Sequence, residues 1–154
     1  MSLLEIHVAL SLIEIPVGLM VIYGLITNTS HGSWTALFLA LAILTSLTGF
    51  PLAPFGFDPP RTIGVLTLLL AVGALIALYV FGLKGAWRWI FVVTTTATLY
   101  LDVFVGVFQA FLKIPSLNAL APTQSEPPFL VAEGVVLLIF VVLGILAVKK
   151  FHPA

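Results

Sequence analysis

The sequence predicts an all-α membrane protein, a bundle of about five transmembrane helices, on three observations. Hydrophobic residues make up 61% of the 154 and charged ones only 8%. A soluble domain carries about 25% charged residues, so this composition cannot build a water-facing surface of ordinary size. The apolar residues fall into five runs of roughly 17 or more, the length a helix needs to cross a bilayer. The six basic residues, Arg61, Lys84, Arg88, Lys113, Lys149 and Lys150, all lie outside those runs.

The first span covers 6–25. It has no basic n-region, carries Glu5 ahead of it, and is interrupted by Glu14 and Pro16, so it reads as a retained helix and not a signal peptide. Pro16 cannot donate to the carbonyl of Leu12, which predicts a free acceptor and a kink beside Glu14. The second span, 34–50, opens on Trp34 and runs into the segment 50–60, which holds Pro51, Pro54, Pro59 and Pro60 with Phe50, Phe55 and Phe57. The third, 63–83, has no internal charge. Its Gly73 and Ala77 form a small-xxx-small step, which predicts a packing helix. The fourth, 89–112, carries Asp102 and a group of threonines. The fifth, 130–148, carries Glu133 near its start and a looser small pair, Gly144 and Ala147. These spans take up most of the chain, which therefore reads as a single integral membrane domain over 1–154, with no soluble catalytic module.

Five spans place Lys84, Arg88, Lys149 and Lys150 on one face and Arg61 and Lys113 on the other. The excess of basic residues predicts a cytoplasmic C-terminus and an external N-terminus in a multi-pass protein of the cell membrane. Eight of the ten prolines lie in the two external loops, predicting irregular but stiff segments that cap the outer side. Trp34, Trp87 and Trp89 mark the other boundary, as interfacial anchors do.

Zero formal net charge argues against a nucleic-acid partner. Without cysteine there is no disulfide, thiolate nucleophile or cysteine metal site. No phosphate-binding loop, His-Glu-x-x-His or nucleophile elbow occurs, and no lysine lies in a span to form a Schiff base. The chain has no internal repeat and an odd number of spans, which argues against an inverted-repeat transporter within one chain. His7, His31 and His152 lie near the boundaries, so no midplane pair is available for a haem. No metal site and no cofactor are expected.

What remains is polar residues inside spans. His7, Ser11, Glu14 and Gly18 share one face of the first helix, and Thr95, Thr98, Asp102, Gly106 and Gln109 share one face of the fourth. Acids at membrane depth are costly, at least about 2.5–3.5 kcal/mol for an ionised group, and usually face a bundle interior or a wet cavity. With no base in any span, Glu14 and Asp102 are expected to rest as neutral acids. Both stripes lean toward the outer side, which predicts a polar vestibule opening outward and closed inward. Arg61 and Glu133, both near the outer boundary, are expected to form an interfacial ion pair.

The strings Leu47-Thr-Gly-Phe-Pro51, Leu99-Tyr-Leu-Asp-Val-Phe-Val105 and Ala119-Leu-Ala-Pro-Thr-Gln-Ser-Glu-Pro-Pro128 resemble small bacterial multispanning membrane proteins of no assigned function. That resemblance covers the second to fifth spans. It implies a bacterial membrane location and brings no activity or site.

The functional expectation is a non-enzymatic membrane protein that handles a proton, cation or small solute, a transport-type role. Glu14 and Asp102 would be its protonatable centre, with His7, Ser11, Thr98 and Gln109 as their hydrogen-bonding neighbours. The alternative is a non-catalytic accessory subunit of a larger membrane complex. The expected partners are the lipid bilayer and either further copies of the chain or other subunits.

Overall fold

The structure is a computed structural model that describes residues 1–29, 32–52, 56 and 58–153. Of the residues discussed above, His31, Pro54, Phe55 and Phe57 lie outside that set. Five helices are long and apolar enough to cross a membrane: α1 (Leu3–Ile26), α2 (Gly32–Gly49), α3 (Pro59–Leu75, continued by a π-helical turn Ile76–Val80), α4 (Trp87–Lys113) and α6 (Pro127–Lys150). A short sixth helix, α5 (Pro115–Leu120), lies between α4 and α6.

Local chemistry sets the helix ends. Ser2 and Glu5 start α1 through a reciprocal capping box, the Ser2 hydroxyl accepting from Glu5 N and the Glu5 carboxylate from Ser2 N. Pro16 leaves α1 unbroken over its 24 residues. At its other end Thr29 N donates to Gly24 O and Asn28 N to Leu25 O, with Asn28 at φ 54. This is a Schellman ending, with asparagine where glycine is usual.

Asp58 caps α3, accepting from Arg61 N at 3.0 Å. Pro59, Pro60, Pro115, Pro127 and Pro128 occupy first or second helical positions, where a missing N–H costs nothing and the fixed φ suits the helix. The expectation of irregular but stiff proline loops is corrected in part, because five of those eight prolines open helices instead of interrupting the chain. In the second such loop Leu117 of α5 packs on the buried cluster of Phe111, Ala121 and Phe129.

Helix α4 is the hub, packing on α3, α6, α1 and α5, while α1 also packs on α2 and α6, and α2 on α3. Early α1 meets late α2 and late α4, as His7 beside Gly49 and Ser11 beside Asp102 show. The start of α1 therefore shares one end of the bundle with the α2–α3 connection and α5; we call it the N-terminal end. The third span is a packing helix as expected: Ala71, Ala74 and Ala77 are fully buried, and Gly73 faces the Thr94 methyl of α4. Outward faces are apolar almost throughout, with Leu69, Leu138 and Val131 among many exposed large side chains. Burying such a surface in lipid is what a membrane protein requires.

At the N-terminal end the α5–α6 turn is organised by Glu126. Its carboxylate accepts from the Thr123 hydroxyl at 2.7 Å, Thr123 N at 3.1 Å and Ser125 N at 3.1 Å. These donors, the Thr123 hydroxyl first, hold its pKa below the ordinary carboxylate value. A folded value below the unfolded one means that the turn is held above the ordinary carboxylate pKa and released as pH falls through the lowered one. Hydrogen exchange at the Thr123 and Ser125 amides, corrected for intrinsic rates, should show protection lost on acidification. Glu126→Gln should remove that pH dependence.

Candidate functional site

The polar stripe of α1 faces α4 and α2 at mid-helix. Ser11 donates its hydroxyl proton to Asp102 Oδ1 at 2.9 Å, joining α1 to α4. One turn further along α1, Glu14 is only 1% exposed, and neither of its oxygens has a hydrogen-bond partner among the described residues. Asp102 on α4 and Thr45 on α2 are its polar neighbours. Asp102 Oδ2 and Thr45 Oγ1 are also buried without partners. Four buried oxygens from three helices, two of Glu14 and one each of Thr45 and Asp102, thus have no hydrogen-bond partner among the described residues. A buried polar atom left without a partner costs about 1–3 kcal/mol, so these side chains are expensive to bury.

Small residues make the convergence possible. Gly18, next along the stripe, receives Leu99 of α4 and Phe38 of α2, both fully buried. A Cβ added at Gly18 would lie 2.6 Å from Leu99 Cδ1 and 2.8 Å from Phe38 Cε2. That close approach sets the depth at which the stripes of α1 and α4 meet.

The other expected neighbours go elsewhere. His7 Nδ1 lies 3.1 Å from the Thr48 hydroxyl, which itself donates to Leu44 O. A hydroxyl has one proton to give, so in this arrangement His7 Nδ1 is the donor. It is a step between the N-terminal end and Ser11, not a ligand of the acid pair. Thr98 donates to Thr94 O at 2.8 Å, one turn back along its own helix, and so does not serve Asp102. Gln109 is half-buried two turns along α4 and makes no hydrogen bond among the described residues. Thr45 was missed from sequence. Its signal was faint: two threonines three apart, Thr45 and Thr48, at the level of Glu14 and His7 on a neighbouring helix.

The expected Arg61–Glu133 ion pair is not formed. Arg61 Nη1 pairs with Asp58 at 2.8 Å, Nε donates to Phe50 O at 3.1 Å, and Nη2 donates to Leu52 O. These partners come from its own helix cap and from the end of α2. Glu133 sits on α6, which packs on α4 and α1, whereas α3 packs on α2 and α4; α4 stands between the two residues. Glu133 is 8% exposed and both its oxygens lack partners among the described residues.

Two small cavities lie away from the acids. One, of about 60 Å³, is at the end opposite the N-terminal end, lined by Val21, Leu25, Thr35, Leu78 and Phe151 among others. The other, of about 20 Å³, lies between Pro59, Ile63 and Phe108. Neither reaches Glu14 or Asp102. Glu14 and Asp102 are both buried in this conformation.

For two neighbouring buried carboxyls, desolvation and mutual repulsion both oppose ionising the pair together. The arrangement can bind and release one cationic guest, of which the smallest is a proton. Comparison with protein-family models, with curated proteins and with solved structures finds no match to this chain.

Proposed function

We propose that this integral membrane protein binds and passes a proton, or a small cation in its place, at the Glu14–Asp102 pair. The observation that carries this reading is the set of four unsatisfied oxygens, from Glu14, Thr45 and Asp102, buried where three helices meet. A purely structural polar contact would have its hydrogen bonds closed, as the Ser11–Asp102 bond is. Here the closed bond positions one carboxyl and leaves the other free to react.

Access comes from the N-terminal end, along His7, Thr48 and Ser11, and an outward vestibule forms when α1 and α4 part at that end. The basic residues near the α3–α4 connection and the end of α6 favour the N-terminal end outside, and the sequence resemblance favours a bacterial cell membrane. Asp102→Asn keeps the shape and the Ser11 contact but removes the titratable group. In liposomes carrying the purified protein, that variant should lose pH-dependent proton flux while keeping its helical content. Unchanged pH dependence overturns the proposal. Native mass spectrometry after mild extraction separates the accessory-subunit reading, which requires a second polypeptide at reproducible stoichiometry.

A further inference from the structure

The end of the bundle away from the polar stripes is tied shut by the segment following α6. Phe151 is 4% exposed, with its ring 6.0 Å from that of Phe91. Arg88, in the first turn of α4, donates to Val148 O at 2.8 Å and to Phe151 O at 2.7 Å. His152 N donates to Asn28 Oδ1 at 2.9 Å, just past the end of α1. One short stretch thus holds the ends of α1, α4 and α6 together. Charge-assisted hydrogen bonds of the Arg88 kind are among the stronger ones, and a helix end at an aqueous interface could satisfy its carbonyls with water instead.

Beneath Phe151 and Pro153 lies the cavity of about 60 Å³, which has the Thr35 side chain in its wall. That is room for a few water molecules. It reaches Val21 on α1, seven residues from Glu14, or about 10 Å at 1.5 Å per residue. Between the two, Phe38 and Leu99 close over Gly18. A pair of acids, a two-residue hydrophobic constriction, a small cavity and a tied segment therefore follow one another along α1.

We propose that the cavity is the second half of a path from the Glu14–Asp102 pair to the opposite end, with Phe38 and Leu99 as its barrier and Phe151–Pro153 as a releasable latch. This rests on the proton-handling reading, and it makes access to the pair two-sided: from the N-terminal end by the His7–Ser11 stripe, and from the other end by the latched cavity.

The chain has no cysteine, so a single introduced thiol reports cleanly. Thr35→Cys places one in the cavity wall, where the native residue is buried. Its reaction rate with a membrane-impermeant maleimide is measured in reconstituted protein with the latch intact, with Phe151→Ala and with Asn28→Ala. Ser11→Cys is measured on the same backgrounds. The expected result is a rise of at least about tenfold at position 35, the factor that about 1.4 kcal/mol produces, with position 11 unchanged. An unchanged rate at position 35 overturns the latch. An equal rise at both positions also overturns it, because that is general loosening. Thiol reactivity does not depend on proton flux, so the result stands apart from the Asp102→Asn test. Leu99→Ala added to Phe151→Ala should further open a proton leak that Asp102→Asn abolishes; a leak indifferent to Asp102 would show that the cavity does not lead to the pair.

Discussion

Glu14→Met should stabilise the bundle while abolishing its proton response. Both Glu14 oxygens are buried and unpartnered, so the native side chain carries its desolvation cost with no hydrogen bond in return. Methionine has similar length, fits irregular space, and needs no partner. Replacing a buried, poorly satisfied polar group by an apolar one of similar shape is often stabilising, here by about 1–3 kcal/mol. The sign is what matters. Were Glu14 a structural link between helices, its removal would cost about 0.6 kcal/mol, the average for interhelical hydrogen bonds in a membrane bundle. Reversible unfolding in mixed micelles, by titration with a denaturing detergent, measures the difference. A stabilised and inactive variant is the mark of a site kept at the expense of stability. A destabilised one would assign Glu14 to the fold. Asp102→Asn should move stability less, because its contact with Ser11 survives.

Gly18→Ala should be destabilising, by about 1–3 kcal/mol, as overpacking in a close-packed core is. The atoms that the new methyl would meet, Leu99 Cδ1 at 2.6 Å and Phe38 Cε2 at 2.8 Å, are side-chain tips. Tips can usually yield, but both residues are fully buried between helices, so moving them shifts α2 and α4 against α1. The Ser11–Asp102 bond, two turns away along α1, should lengthen as the helices move. Gly18→Ala should therefore weaken proton handling as well as stability. Leu99→Ala in the same chain should recover part of the loss by supplying the missing volume. Gly106→Ala is the control: its nearest neighbour is Ile15 Cδ1 at 3.9 Å, an ordinary contact, so both stability and flux should be nearly unchanged. Equal effects of the two alanines would remove Gly18 from its positioning role.

Both expectations depend on which side chains meet, and the sequence is uneven about that. Helix α4 advertised its polar stripe, because threonines and Asp102 recur on one face against an apolar remainder. Along α1 the same reading found the Ser11 and Glu14 face. It then grouped His7, Thr98 and Gln109 with the carboxyls because they share those stripes, whereas His7 turns to Thr48 and Thr98 bonds its own helix. The Arg61–Glu133 pairing failed for a related reason. Two opposite charges at one membrane depth look like partners until the helix standing between them is known, and Asp58 offered Arg61 a partner three residues away.

By itself the sequence determined that five helices are long and apolar enough to cross a membrane, in what order, and which acids lie within them. These depend on run length and on the cost of moving charge out of water, both properties of a local stretch of chain. Only the tertiary structure decided that Thr45 neighbours Glu14, that Ser11 holds Asp102, that Arg61 pairs with Asp58, and that Arg88 secures the segment after α6. A helix that is apolar nearly all round can be rotated about its axis with little change in its own transfer energy. Its facing is settled instead by where a small residue such as Gly18 lets a neighbour approach, which is a relation between helices.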